Sequence, residues 1–197
     1  VIMRTSPRPF FSWNTCLIAI FVLLFAFANL AAAGGPESLF RVSNPPPAPS
    51  SLIQAAGCSR ADVQAALTAA KDGDTVLIPS GVCTWTQGID ISTPKAITIQ
   101  GAGMEATTII DNINKLSGGG QVFTINTQAG KRFRMTGMTF RGMAPDTYVY
   151  NHGTILLDGT AQDFRLDHLK FDRPGTSAIR FGGAAYGLVD HCYFDLS

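Results

Sequence analysis

An internal repeat constrains this sequence more than any other feature. The segment FRLDHLKFD at residues 164–172 recurs as GLVDHCYFD at residues 187–195. Each copy reads apolar, two polar, apolar, polar, apolar, which is the pattern of two short strands joined by a two-residue corner. Similarity at a fixed spacing is typical of architectures built from stacked repeats. Alignment of the two copies matches Leu166 with Val189, Asp167 with Asp190, His168 with His191, Leu169 with Cys192 and Phe171 with Phe194.

The repeat extends towards the N-terminus. FRMTGMTFR at residues 133–141 and ITIQGAGME at residues 97–105 fit the same register. A further short apolar strand precedes each copy. The number of residues from the start of that strand to the corner is nearly constant, because the steps run from residue 89 to 99, from 123 to 135, from 155 to 166 and from 179 to 189. Strands that stack on their own next copy form parallel sheets along a solenoid. The sequence therefore predicts an all-β solenoid of about four to five coils.

Composition agrees with one such domain and excludes some partners. The chain has 197 residues, of which 46% are hydrophobic and 15% charged, enough for a single sizeable core. Its 20 glycines suit many tight corners. The net charge is only +1, and no basic patch is interleaved with aromatic residues, so we expect no nucleic-acid partner.

The N-terminus predicts export. Arg4 and Arg8 precede an apolar run at residues 16–30, and three alanines follow at residues 31–33. This order is typical of a signal peptide, so we assign residues 1–33 to one that is cleaved. An uncleaved membrane anchor is the alternative, although the run is short for a span of about 20 residues. We expect a secreted, periplasmic or cell-surface protein with no stable membrane insertion after cleavage.

Two segments precede the solenoid coils. Residues 34–57 are assigned to a proline-rich linker, which is stiff and without expected secondary structure over residues 34–51, and residues 58–197 are assigned to the β domain. Ser59 and Asp62 begin a helix of about residues 60–71, with apolar residues at helical spacing and Gly73 beyond its end. We expect this helix to cover the open end of the first coil.

The cysteines predict a disulfide and no metal site. Cys58 and Cys83 lie on either side of the helix, and a bond between them would tie it to the first coil, worth about 3 kcal/mol by loop-closure entropy. Two unpaired core thiols are the alternative. Cys192 falls at an inward position, where it acts as a small hydrophobe. The four cysteines show no metal-ligand spacing.

Three segments together resemble a known family. GDTVLIPSGVCTW at residues 73–85, ITIQGAG at residues 97–103 and VDHCYF at residues 189–194 are similar to the start of a right-handed parallel β-helix of the pectate lyase-like superfamily. The resemblance covers the chain from Cys58 onwards. It implies a right-handed parallel β-helix with a short N-terminal capping helix, and it allows Ca²⁺ as a cofactor. Because that fold carries lyases, hydrolases, esterases, tailspikes and adhesins, it says less about activity.

The repeated Asp-His pairs are predicted to be structural. Residues 189–191 resemble a Trp-Ile/Val-Asp-His stretch of pectate lyases, with Leu188 in place of the Trp. However, in the aligned copies the second corner residue is Gly101, Gly137, His168 and His191 in turn. Backbone positions with positive φ favour Gly and tolerate His. We therefore expect a stacked corner ladder, and we keep a catalytic or metal-binding role as the alternative.

A different face carries the candidate binding site. Asp158 and Arg180 are outward residues of the strand that precedes each corner. We expect them to lie diagonally to each other on adjacent coils. Arg180 is the candidate catalytic base by resemblance to lyases, and a surface ion pair is the alternative. The insert at residues 142–153 leads onto this face, and its Tyr148, Tyr150 and His152 are candidates for stacking on sugar rings or, alternatively, for packing the loop.

These observations predict an exported protein that acts on or binds polysaccharide, with acidic polysaccharides among the candidates. A lyase is favoured over a hydrolase, because the paired-carboxylate motifs of polygalacturonase-type hydrolysis are missing from the sequence. The alternative is a non-catalytic surface protein of the adhesin or tailspike type. The sequence stops at residues 195–197 within a coil, which predicts a fragment whose catalytic residues lie further on.

Overall fold

Thirteen strands and one helix make up the part of the chain that the computed structural model describes, residues 50–115, 120–142, 153–174 and 177–195. Nearly all secondary structure there is strand, so the fold is all-β as predicted. The elements are β1 Leu52–Gln54, α1 Arg60–Ala69, β2 Thr75–Ile78, β3 Gly81–Trp85, β4 Ile89–Ile91, β5 Thr98–Gly101, β6 Thr107–Asp111, β7 Phe123–Thr127, β8 Phe133–Gly142, β9 Gly153–Gly159, β10 Phe164–Asp172, β11 Ser177–Phe181, β12 Gly187–Asp190 and β13 Tyr193–Asp195.

All of these strands pair in parallel, in two sheets. The nine-stranded sheet has the order β1-β2-β5-β8-β10-β12, with β3, β6 and β13 attached through the second halves of β8 and β10. The four-stranded sheet has the order β4-β7-β9-β11. We call each set of consecutive strands that pairs with the next such set along the chain a rung. Rungs 1 to 5 consist of β2–β4, β5–β7, β8–β9, β10–β11 and β12–β13. Each rung pairs with the rungs next to it.

The strand register confirms the alignment made from sequence. Leu166 pairs with Met135 on one side and Val189 on the other, and Phe171 pairs with Phe140 and Phe194 in the same way. In the four-stranded sheet one row runs through Ile89, Phe123, Ile155 and Ile179. Because side chains alternate between faces with a period of two, this register places every predicted apolar row on one face.

A column of aromatic rings occupies the core between the sheets. Trp85 packs on Phe123 with ring centroids 5.4 Å apart, and Phe123 meets Phe140 edge-on at 6.1 Å. Phe140 then stacks on Phe171 at 5.6 Å, and Phe171 on Phe194 at 5.1 Å. Such pairs contribute about 0.5–1.5 kcal/mol each beyond their area burial, so the column joins successive rungs.

Helix α1 forms as its sequence predicts. The Ser59 hydroxyl accepts a hydrogen bond from the Asp62 amide, and the buried side of the helix consists of Val63, Ala66 and Leu67. The helix ends at Ala69, slightly before the expected residue 71, because Ala70 adopts extended backbone. Lys95 Nζ donates to carbonyl oxygens of the last turn, which satisfies groups that a helix end leaves unpaired.

Strand β1 lies within the segment that was assigned to the linker. Leu52–Gln54 forms this strand and pairs with Thr75–Leu77, directly after residues 34–51, for which no secondary structure was expected. The physical reason is that β2 would otherwise present unpaired backbone groups at the edge of the sheet, and β1 satisfies them. Three residues without alternating polarity gave no signal for this strand in the sequence.

A disulfide joins Cys58 to Cys83, with Cα atoms 5.8 Å apart. It ties the segment that precedes α1 to strand β3. The indole N–H of buried Trp85 donates to the Cys58 carbonyl at 3.0 Å, so the same two segments are held a second time. Together these contacts fix α1 over rung 1.

Several expectations fall outside the described residues. The signal peptide, the linker up to residue 49, and Tyr148, Tyr150 and His152 all lie there. Within the ranges that the structure does describe, no helix is long and apolar enough to cross a membrane.

Candidate functional site

The corner of rung 4 holds a fully buried carboxylate. Asp167 has no exposed surface, and four donors surround it. Arg134 Nε and Nη2 donate to its two oxygens at 2.7 Å each, the Thr136 hydroxyl donates at 3.0 Å, and His168 Nδ1 lies 2.8 Å away. Mainly because of the Arg134 hydrogen bonds, the pKa of Asp167 is held far below its ordinary value.

Rung 5 repeats the arrangement one step along. Arg165 Nε and Nη2 donate to the two oxygens of Asp190 at 3.0 and 2.8 Å, and His191 Nδ1 lies 2.7 Å from the same carboxylate. The hydrogen bonds from Arg165 lower the pKa of Asp190. In both cases the arginine of one rung reaches the aspartate of the next, so these forked pairs join rungs rather than residues of one strand.

The corner histidines stack on each other. The rings of His168 and His191 are 4.9 Å apart at the centroid and parallel to within 3°, and both residues have φ of 50°. Gly137, one rung earlier, has φ of 72°. The expectation of positive φ is wrong for Gly101: its backbone lies outside that region. A glycine is needed there because a Cβ would lie 2.3 Å from the Gly137 carbonyl oxygen.

A shallow depression of about 260 Å³ lies beside this ladder. It is lined by His168, Thr136, Gln100 and the glycine corner from Gly101 to Gly103. The carboxylate of Asp167, which lies beside His168, is already bonded on both oxygens. A carboxylate with a strongly lowered pKa is a poor general base, so the corner chemistry favours a structural role for the ladder.

A third carboxylate on the nine-stranded sheet, that of Asp172, contacts two arginines. Arg141 Nε donates to Asp172 at 2.6 Å, and Arg173 Nε lies 3.3 Å from the other oxygen. The hydrogen bond from Arg141 lowers the pKa of Asp172. Arg173 has φ of 47°, which is costly for a residue with a long side chain. Sequence reasoning did not find this position, and no feature of the sequence marks it.

The outer face of the four-stranded sheet is arranged differently. Two rows of outward residues cross its four strands in register: Asp90, Thr124, Leu156 and Arg180 in the first, and Ser92, Asn126, Asp158 and Gly182 continuing the same strands in the second. Successive members of a row are about 4.8 Å apart. Among the described residues, the side chain of Asp90 takes part in no ion pair or hydrogen bond, and that of Asp158 accepts only from the amide of Gly159.

The candidate pair of Asp158 and Arg180 is not brought together. The ion pairs between described residues do not join them. The alkyl part of Arg180 instead lies over Gly153, where an added Cβ would be 3.4 Å from its Cγ and Cδ atoms. Asp158 lies beside Gly182 on the next strand. Arg180 therefore extends along its strand away from Asp158.

Helix α1 bounds one end of the first row. A depression of about 170 Å³ lies between the helix and the end of β4, lined by Gln64 and Thr68 from the helix and by Asp90, Ser92 and Lys95. Because Asp90 and Ser92 also begin the two rows, the depression and the sheet face form one continuous surface. We call this surface the polar face.

The described ranges offer few side chains suited to metal binding or thiol chemistry. There, no three His, Cys, Asp or Glu side chains converge as metal ligands would. The thiol of Cys192 is half-buried, lies 3.6 Å from the Leu166 carbonyl oxygen, and has its pKa raised by burial. This is consistent with a packing role.

Comparison with known proteins gives no family for this chain. No protein-family model matches it, and neither a curated protein nor a solved structure shows significant similarity to it.

Proposed function

We propose that this chain is a right-handed parallel β-helix of the pectate lyase-like type that binds an extended polysaccharide along its polar face. The parallel pairing of every rung with the next, and the three segments of family-like sequence, support the fold. The two straight rows of outward residues support the function. Every member of the rows except Leu156 and Gly182 carries a side chain that can form hydrogen bonds. Neighbouring members lie at a constant spacing, which suits a long, regular polymer.

The observation that carries the proposal is the contrast between the two sheets. On the nine-stranded sheet the carboxylates of Asp167, Asp172 and Asp190 are all bonded to arginines. On the polar face the carboxylates of Asp90 and Asp158 are exposed and take part in no ion pair with a described residue. A carboxylate can accept two hydrogen bonds from neighbouring hydroxyl groups, which a sugar chain supplies in abundance.

Arg180 sets the preference between neutral and acidic chains. Its planar guanidinium can bind the carboxylate of an acidic sugar through two hydrogen bonds. The two aspartates of the same face oppose such a ligand. Neutral chains should therefore bind through Asp90 and Asp158, and acidic chains through Arg180.

Glycan titration tests this function. Neutral and acidic oligosaccharides of increasing length would be titrated calorimetrically into the wild type and into the variants Asp90→Asn and Asp158→Asn. Gln100→Ala, an exposed change on the nine-stranded sheet, is the matched control. We expect affinity to rise with chain length and to fall in the two aspartate variants at unchanged melting temperature. Absence of binding to any glycan, or equal loss in the control, would contradict the proposal.

A non-catalytic surface protein is the second candidate. The ladder is consistent with it, because the lowered pKa values of Asp167 and Asp190 make these two carboxylates poor general bases. Incubation with the bound polysaccharide, followed by ultraviolet absorbance of unsaturated products, separates the two. Binding without product identifies a binding protein, and product formation lost in Arg180→Ala identifies a lyase.

Export is part of the proposal and has its own test. N-terminal sequencing of protein expressed with its natural leader should begin near Gly34. A mature chain that still begins at Met3 would contradict signal cleavage.

A further inference from the structure

Helix α1 forms a fixed wall beside strand β4. Among the described strands β4 pairs only with β7, and α1 lies next to it across the depression of about 170 Å³. Just before β4, the Gly88 carbonyl oxygen accepts a hydrogen bond from Arg60 Nε in the first turn of the helix, at 3.2 Å. Beyond β4, Lys95 Nζ donates to the carbonyl oxygens of Leu67 and Ala70 at 2.7 and 2.8 Å. The helix is therefore tied to the chain on both sides of this strand.

This wall closes one end of the polar face. Asp90 begins the first outward row and Ser92 the second, and both side chains also line the depression beside α1. A polymer that lies along the rows cannot continue past the helix in the same line. It must end at α1 or leave the surface there, so the depression is the place where its last unit would lie.

The size and lining of the depression suit a single sugar ring. A cavity of about 150 Å³ holds one benzene ring, so a space of about 170 Å³ has room for one six-membered ring. Leu67 and Ile91 supply the small apolar part of the lining, against which the C–H groups of a sugar can pack. A few polar groups around apolar surface fix the orientation of a ligand. Here the uncharged ones belong to Gln64, Thr68, Ser92 and Thr93.

The charges in the depression favour a neutral sugar. The carboxylate of Asp90 is exposed and bonded to no other described residue, so it can accept hydrogen bonds from hydroxyl groups and repels a second carboxylate. The ammonium group of Lys95 donates to carbonyl oxygens at the end of the helix, which offset its charge. An acidic sugar would therefore meet an opposing charge without gaining a free cation.

We propose that this depression is a terminal subsite, which holds the last sugar of a polysaccharide chain and requires that sugar to be neutral. The inference rests on the glycan binding proposed above and adds to it a direction and an end. The polymer would lie along the rows from β11 towards β4, and one of its two ends would meet α1. Binding would then depend on the chemistry of that end and not only on the length of the chain.

Oligosaccharides modified at one end test the subsite in the wild-type protein. A linear neutral oligosaccharide would be titrated calorimetrically in its free form, with a bulky aromatic group on its reducing end, and with the same group on its non-reducing end. We expect the group to weaken binding at least tenfold at one end and to leave it unchanged at the other. A uronic acid as the last sugar of the sensitive end should also weaken binding at least tenfold.

A variant that fills the depression locates the effect. Thr68→Trp places a large ring in the space between α1 and β4, and it should abolish the difference between the free and the end-blocked oligosaccharide. Ala65→Trp is the matched control, because Ala65 is an exposed residue of the same helix that does not line the depression. This control should keep the full difference. Melting temperatures of both variants would be measured alongside, and the wild-type comparison decides alone if Thr68→Trp unfolds.

The outcomes separate this inference from the function on which it rests. Equal affinity for the free oligosaccharide and for both blocked forms would overturn the terminal subsite, while binding along the polar face would stand. A difference that persists in a folded Thr68→Trp variant would also overturn it, since the end would then lie elsewhere. Equal binding of neutral and acidic ends would overturn the requirement for a neutral sugar. Absence of binding to every glycan would overturn the proposed function itself.

Discussion

At the scale of single residues, Asp167 is the group on which the corner depends most. It is fully buried and accepts from Arg134, Thr136 and His168. Asp167→Asn removes the charge but keeps the volume, and leaves Arg134 without its partner. We expect a loss of about 2–4 kcal/mol in the free energy of unfolding, measured by urea denaturation.

The matched control for Asp167 is Asp190→Asn, which breaks the same kind of forked pair in rung 5. Because Asp190 is partly exposed, water can replace part of what is lost, and the loss should be clearly smaller. An equal cost at the two positions would show that burial does not set the strength of the pairs.

The lowered pKa values of these aspartates also predict a pH dependence. Asp167, Asp172 and Asp190 have pKa values below those of the unfolded chain, where an aspartate titrates near about 3.9. Below that pH the unfolded state binds more protons than the folded state. The stability these groups contribute is therefore fully present above about pH 4 and is lost as pH falls towards their folded pKa values.

Urea denaturation at a series of acidic pH values measures this dependence. Asp167→Asn should show a weaker fall with pH than the wild type. A wild-type stability that stays constant down to about pH 2 would contradict the assignment.

His168 tests whether the corner ladder is structural. It has φ of 50°, and its ring stacks on that of His191. Asparagine tolerates this backbone, so His168→Asn should keep stability and any glycan binding nearly unchanged. Valine does not tolerate it, so His168→Val should cost about 1–3 kcal/mol in thermal or chemical unfolding. Loss of an activity in His168→Asn at unchanged stability would indicate a chemical role instead.

At the scale of elements, the close approach of β5 to β8 depends on a glycine. A Cβ on Gly101 would meet the Gly137 carbonyl oxygen at 2.3 Å. Gly101→Ala should therefore push two neighbouring rungs apart and cost about 1–3 kcal/mol or more. Gly120→Ala is the control, because nothing lies within 4 Å of an added Cβ there. Equal melting temperatures for the two variants would rule out this close packing.

The sequence predicted those elements that repeat. Leu166, Phe171 and their partners were placed correctly because identical positions recur along the chain and each must face the core. Helix α1 was predicted because Ser59 and its apolar spacing are local signals. Strand β1 was missed because its only reason to be extended is the edge of β2, which is distant in sequence.

The candidate site could be predicted only in outline. The outward rows follow from alternation and register, so Asp90, Asp158 and Arg180 were assigned to one face correctly. Their contacts did not follow, because side-chain direction depends on neighbours: Gly153 leaves room for Arg180 to lie away from Asp158. The forked pairs of Arg134 and Arg165 were missed as well, since each joins residues more than twenty positions apart.

At the scale of the whole molecule, the disulfide makes the two ends of the stack unequal. Cys58 and Cys83 close a loop around α1, and Trp85 holds the same segments by a hydrogen bond. Replacing both cysteines by serine should lower the free energy of unfolding by about 3 kcal/mol. It should also speed hydrogen exchange in α1 and β3 while leaving β10 and β12 unchanged, as mass spectrometry can resolve. A uniform increase over all rungs would show that the stack opens as one unit.

The parallel stacking also gives the molecule a mechanical direction. Backbone hydrogen bonds between rungs point along the stack, and so do the aromatic column from Trp85 to Phe194 and the forked arginine pairs. Tension along that axis loads all of these contacts at once at each boundary between rungs, and it releases chain in increments set by spacings such as that from Leu166 to Val189. Tension along the strands instead shears many rows together. A stack of this build resists pulling along its strands better than pulling along the stack.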